Sequence, residues 1–230
     1  VSKVKNLDYR VGEEILLKNP ALEPVRRVAA IAAAVIVLGF AGGAGVYATP
    51  YTYVSFDVNP SIEYTVNRFG RVISVEAVDE EGQKVLDEAT PGMIRNRTIE
   101  EALGNTYEAV KRIGYFSDAS EDSLLVAAAC GNTDDASKMT EKLTKYLRNK
   151  VNKDQLVAPV EGLSLSNQER LEAKESGLSM GRYELVKQIK EQSGEGQNGG
   201  YEQWKGETVN ELMNTLKNEG SGSGHNGSKK

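Results

Sequence analysis

The pattern of apolar and polar positions divides the chain into zones of different period. Residues 28–47 form a run of twenty apolar or small residues without a charge, and the next charged residue is Asp57. From Tyr53 the period becomes two. Val54, Phe56 and Val58 fall on one side, and Tyr53, Ser55, Asp57 and Asn59 on the other, as in a half-buried strand. Pro60 interrupts this alternation, and Ile62, Tyr64 and Val66 resume it. Asn67-Arg-Phe-Gly70 supplies a turn, residues 72–78 read as another strand, and Asp79-Glu-Glu-Gly82 reads as a further turn.

A period near 3.6 then takes over. Thr98-Ile-Glu-Glu101 has capping-box spacing and opens a helix with an apolar stripe through Ile99, Leu103, Tyr107 and Val110, which Gly114 ends. A buried-type strand is expected over 123–130, and an amphipathic helix from Asp134 to about Lys150. A short strand is expected over 156–160. Ser166-Asn-Gln-Glu169 opens a helix that Gly177 ends, and a last helix covers 179–192. The order βββ-α-β-α-β-α-α predicts an α+β fold, or an α/β sandwich, with a single transmembrane helix followed by a juxtamembrane β-meander with packed helices.

Four segments follow: a cytoplasmic remnant at 1–27, a transmembrane helix at 28–48, an extracellular domain at 51–192, and a flexible Gly/Ser-rich tail at 193–230. In the tail, residues 207–217 could form one exposed helix. Within the first segment, residues 9–17 read as a strand. The chain opens on Val1 rather than Met, and is expected to begin partway into a longer protein. Twenty residues match the length that crosses a bilayer. The run is longer than the apolar core of a signal peptide, and Ala48-Thr-Pro50 is a poor cleavage site. Arg26 and Arg27 abut one end only, so the positive-inside rule places the N-terminus in the cytoplasm and the C-terminus outside.

Charge and composition narrow the chemistry. Of 28 Lys/Arg and 33 Asp/Glu, six and four precede Val28, leaving 22 basic and 29 acidic residues. Such an acidic remainder argues against nucleic acid as a direct partner. Cys130 is alone and His225 is the only histidine, which argues against an intrachain disulfide, a Ser-His-Asp triad and a His-based metal site. No cofactor or metal is expected. Asp118-Ala-Ser-Glu-Asp122 lacks the glycine and spacing of a calcium loop and reads as a solvated turn.

Asn59-Pro60 carries the remaining chemistry. An Asn side chain is ordinarily deamidated when the next backbone nitrogen attacks it, but proline has no backbone N–H. The remaining route is attack by the Asn59 side-chain nitrogen on its own carbonyl, which cuts the chain before Pro60. Continuous strand periodicity places Asp57 on the face of Asn59, about 7 Å away, as a base or an orienting group. The competing reading is an Asx-Pro turn or strand break. Asn59, Pro60 and Asp57 are the candidate catalytic residues of a single-turnover self-cleavage, rather than of a turnover enzyme.

The run Val54-Ser-Phe-Asp-Val-Asn-Pro-Ser-Ile-Glu63, then Val66-Asn-Arg-Phe-Gly-Arg-Val-Ile-Ser-Val75, resembles the ectodomain opening of RsgI-type anti-sigma factors. Ser176-Gly-Leu-Ser-Met-Gly-Arg-Tyr-Glu-Leu185 resembles a later helical motif of that family. The resemblance implies a sigma factor held by an N-terminal cytosolic domain, a single membrane crossing in the lipid bilayer, and an extracellular domain that autocleaves at Asn-Pro. It further implies an intramembrane protease that acts afterwards to release the sigma factor. Most of the sigma-binding domain is absent here, with only residues 9–17 resembling its end. An anchored sensor or binding module without self-cleavage is the alternative, and an extracellular hydrolase is disfavoured by the missing histidine.

Overall fold

A computed structural model describes residues 23–116, 123–194 and 200–222. The expected strand at 9–17 and the turn at 118–122 lie outside them. The chain divides into two compact units, Val1–Gly45 and Val46–Lys230. Helix α1 spans Glu23–Ala48; the side chains of residues 23–27 and 36–42 lie outside the description. Among the described residues, no helix is long and apolar enough to cross a membrane.

The second unit is mixed α+β, built on a five-stranded sheet. The strands are β1 (Pro50–Asp57), β2 (Ser61–Asn67), β3 (Val72–Ala77), β4 (Leu124–Cys130) and β5 (Val160–Ser166), arranged β3-β2-β1-β4-β5. Strands β1, β2 and β3 form an antiparallel meander. β1 also pairs antiparallel with β4, and β4 pairs parallel with β5. Helix α4 (Thr133–Lys153) makes the long connection that a parallel pair requires. The first strand of the domain is therefore its central one.

The period-two alternation of β1 sends its side chains to two different cores. Val54, Phe56 and Ile62 join Tyr64, Val126 and Leu143 in a cluster under α2 (Glu80–Ala89), α3 (Ile99–Ile113) and α4. On the other face Leu125, Ala127 and Ala129 pack under α5 (Asn167–Ser176), α6 (Met180–Ser193) and α7 (Val209–Gly222). The small residues of β4 let these helices approach closely.

The capping signals act as the spacing predicts. Thr98 and Ser166 each form both halves of a capping box, and Gly114 and Gly177 end their helices in the left-handed conformation. Three local expectations differ. Asp79-Glu-Glu-Gly82 is not a turn between strands, because Asp79 caps α2 by accepting from the Gly82 N–H at 2.7 Å. The strand expected at 156–160 begins at Val160 and continues to Ser166, since the buried β4 needs a parallel neighbour along its whole length. The helix expected at 207–217 is present as α7, but it is not exposed: its Leu212 is fully buried against the α6 core.

Candidate functional site

The three residues singled out from sequence converge on the β1–β2 hairpin but not in the way an unbroken strand would place them. Asp57 pairs with Ser61 as the last rung of the ladder, so Val58, Asn59 and Pro60 form the hairpin tip. The Val58 N–H donates back across the tip to the Pro60 carbonyl at 2.9 Å. Asn59 is exposed, whereas Pro60 is buried and Asp57 fully so. The expected shared strand face is thus corrected: the chain reverses at Asn59, so that period two ends at Val58. Proline starts the return because it has no N–H to offer the ladder.

Asn59 sits at φ 66°, in the left-handed region. Asn tolerates that region better than most residues, but a following proline pushes its predecessor toward extended backbone. A non-glycine residue held there stores on the order of 1–3 kcal/mol. The surroundings that hold it are specific. The Ser61 N–H donates to Asp79 Oδ1 at 3.1 Å, and the Val78 N–H donates to the Ser61 carbonyl at 2.9 Å. Gly82, in the first turn of α2, lies so close that a Cβ there would come 2.3 Å from the Ser61 carbonyl oxygen. The return side of the hairpin tip is thus clamped to the start of α2.

Below the hairpin, Asp57 faces the start of α6. Its Oδ2 accepts from Ser55 Oγ at 2.9 Å, and Ser55 Oγ in turn accepts from the Gly181 N–H at 3.3 Å. A Cβ on Gly181 would come within 2.6 Å of both Asp57 Oδ2 and Leu125 Cδ2, so glycine is what permits this approach. Burial pushes the Asp57 carboxyl up to about 6, while the neighbouring hydroxyls of Ser179, Ser61 and Ser55 and the Arg182 guanidinium pull the other way. Asp57 Oδ1 and Ser61 Oγ are both buried without a hydrogen-bond partner. Asp57 makes no hydrogen bond to Asn59.

Arg182 is itself held by the C-terminal segment, donating to the carbonyls of Trp204, Lys205 and Glu207. Glu63 pairs with Arg170 of α5, whose guanidinium lies 3.4 Å from the Tyr53 ring centroid. The acidic end of the Asn-Pro-Ser-Ile-Glu run therefore fastens β2 to α5. Ser61, Ser179, Gly181 and Arg182 were missed as site residues. The signal that could have found the last three was the Ser176–Leu185 motif, whose glycine-containing helix start lies against the strand bearing Asp57; Ser61 lies in the Val54–Glu63 run itself.

The buried thiol of Cys130 donates to the Asn132 carbonyl at 2.8 Å, a structural role. Among the described residues, no group of three or more His, Cys, Asp or Glu is arranged to hold a metal ion.

An α+β domain with a strained Asn-Pro hairpin on its central strand is the class that fold and site define. The profile of the anti-sigma factor RsgI-like central domain matches residues 51–188. The chain belongs to this family, the RsgI-type anti-sigma factors. It is similar to anti-sigma-I factor RsgI7 of Acetivibrio thermocellus, 24% identical over 93% of this chain and 39% of that protein. It is also similar to RsgI9 of the same organism, 31% identical over 72% of this chain and 24% of the relative. With RsgI of Bacillus subtilis it is 26% identical over 58% of this chain and 34% of the relative. The chain thus spans less than two fifths of each of these relatives.

Proposed function

We propose that this chain is the juxtamembrane part of a single-pass membrane anti-sigma factor, and that its extracellular domain cuts itself at Asn59–Pro60. The observation that carries the reading is the left-handed Asn59 immediately before a buried proline, in a hairpin held by Asp79 and the α6 start, in a chain of this family. Residues 28–47, uncharged and preceded by Arg26 and Arg27, support the anchor and its orientation, with the N-terminus cytoplasmic and the C-terminus outside.

In the cleavage, the Asn59 side-chain nitrogen attacks the Asn59 carbonyl carbon and gives up a proton. The Pro60 nitrogen takes up a proton as the C–N bond breaks. The products are a succinimide formed from Asn59, two residues beyond β1, and a free secondary amine at Pro60. Asp57 acts as a positioning residue: it holds the last rung of the hairpin against α6 and does not touch the amide. Strain at Asn59 is released when the bond breaks, which favours the reaction.

Cleavage leaves β1 paired on both edges, with Val54 and Phe56 fully buried. Extracting each such side chain costs about 1.5–3 kcal/mol. The nicked domain therefore persists as one body until β1 is drawn out with the anchor. An intramembrane protease then acts on the anchor, and the sigma factor bound to the cytosolic part is freed. Denaturing gels of wild type and Asn59→Ala test the reading. Two fragments from wild type, one from the variant and a single native species from both are expected; an intact wild-type chain returns the protein to an anchored sensor module.

A further inference from the structure

The end of the domain where α1 enters it carries a basic, partly apolar surface, in contrast to the acidic chain as a whole. The β2–β3 turn and the segment before α3 are zipped into one unit. The Val72 N–H donates to the Arg97 carbonyl, the Asn96 N–H to the Val72 carbonyl, and the Ile99 N–H to the Gly70 carbonyl, each within 2.9–3.0 Å. The Arg71 guanidinium donates to the Asn96 carbonyl at 2.7 Å.

This unit exposes Arg68, Arg71, Arg95 and Arg97, and neither contributing stretch, 67–75 or 91–99, contains an acidic residue. The acids that follow are engaged: Glu100 pairs with Lys142, and Glu101 accepts from the Thr98 N–H. Beside the arginines, Phe69 is 62% exposed and Met93 48%.

The position of this surface is set by Tyr47, at the end of α1. Its ring stacks on Phe69 with centroids 6.4 Å apart, its hydroxyl donates to Asn96 at 3.1 Å, and its carbonyl accepts from Asn67 Nδ2 at 2.9 Å. The residue at which the chain leaves the anchor is thus bonded directly to the arginine-bearing unit.

We infer that the 67–71 turn and the 92–97 loop form a docking surface for an anionic phospholipid bilayer, with Phe69 and Tyr47 at the headgroup level and the arginines on lipid phosphates. Amphipathic rings favour that level, and basic side chains near an anionic surface are attracted to it. The inference rests on the anchor reading above.

The test uses the whole chain reconstituted into vesicles of zwitterionic lipid, or of the same lipid with about a third phosphatidylglycerol, each containing brominated acyl chains. Phe69→Trp is compared with wild type, whose single tryptophan, Trp204, supplies the baseline and reports folding. Bromine quenching of the new tryptophan is expected in anionic vesicles. In Arg68→Gln and Arg97→Gln backgrounds the docked population should fall roughly fivefold per arginine. Quenching that is absent, or equal in both lipids and unchanged by the arginine variants, overturns the inference while leaving the anchor intact. A chain that does not float with the vesicles overturns both.

Discussion

The two hairpins of the β-meander solve the same problem in opposite ways. Between β2 and β3 the left-handed position falls on Gly70, at φ 72°, where an added Cβ would meet nothing within 4 Å. There Asn67 turns its side chain inward to accept from the Phe69 and Arg71 N–H groups. Between β1 and β2 the left-handed position falls on Asn59, and a proline follows it. Glycine adopts this conformation without a side-chain clash, so a relaxed first hairpin was chemically available. Of the two turns, only the one proposed to cut itself places a residue with a side chain in the left-handed region.

Interchanging the features of the two turns should separate them. The largest effect is expected from Asn59→Gly, which removes both the nucleophile and the strain. Cleavage should vanish on denaturing gels, while unfolding stability is unchanged or rises by up to about 2 kcal/mol, as relieved strain offsets the chain entropy of glycine. Loss of cleavage accompanied by gross unfolding would break the comparison.

Asp57 gives the next effect. Its folded carboxyl titrates near 6 against an ordinary value of 3.8. The stability it contributes is fully present below about pH 4 and is lost as pH rises through 6, because the unfolded chain releases the proton first. The penalty above pH 6 is about 3 kcal/mol. Urea titrations across pH 4–7 should show this fall in wild type and not in Asp57→Asn. If Asp57 positions the hairpin through its ionised form, cleavage in wild type should also slow as pH drops below 6.

Gly181→Ala forces a methyl group against Asp57 and Leu125. It should destabilise the domain by about 1–3 kcal/mol and slow cleavage, measured by urea unfolding and by the rate of fragment appearance. Gly70→Ala is the matching change in the relaxed turn. It should cost about 1 kcal/mol for the left-handed backbone and leave the cleavage rate unchanged.

Much of this architecture was legible from local chemistry. The alternation through Val54, Phe56 and Val58, the capping boxes at Thr98 and Ser166, and the stops at Gly114 and Gly177 depend on neighbours within a few residues. What was not legible depends on distant partners. Asp79-Glu-Glu-Gly82 resembles a turn until Gly82 is seen against the Ser61 carbonyl. The helix in the tail was legible, but not its burial, because the stripe of Val209, Leu212 and Met213 finds its cover on α6. Asp57 and Asn59 were placed on one face by a period that Pro60 ends, and the α6 partners of Asp57 lie more than a hundred residues away.

The central claim is that the Asn59–Pro60 bond breaks by itself in the folded domain. Intact-mass analysis of the purified full chain, denatured immediately before measurement, tests it most directly. The account predicts two fragments, residues 1–59 lighter by one water than a free carboxyl terminus would make them, or that product hydrolysed, and residues 60–230 beginning with proline. A single mass for the uncut chain, unchanged on prolonged incubation at neutral pH, would contradict it.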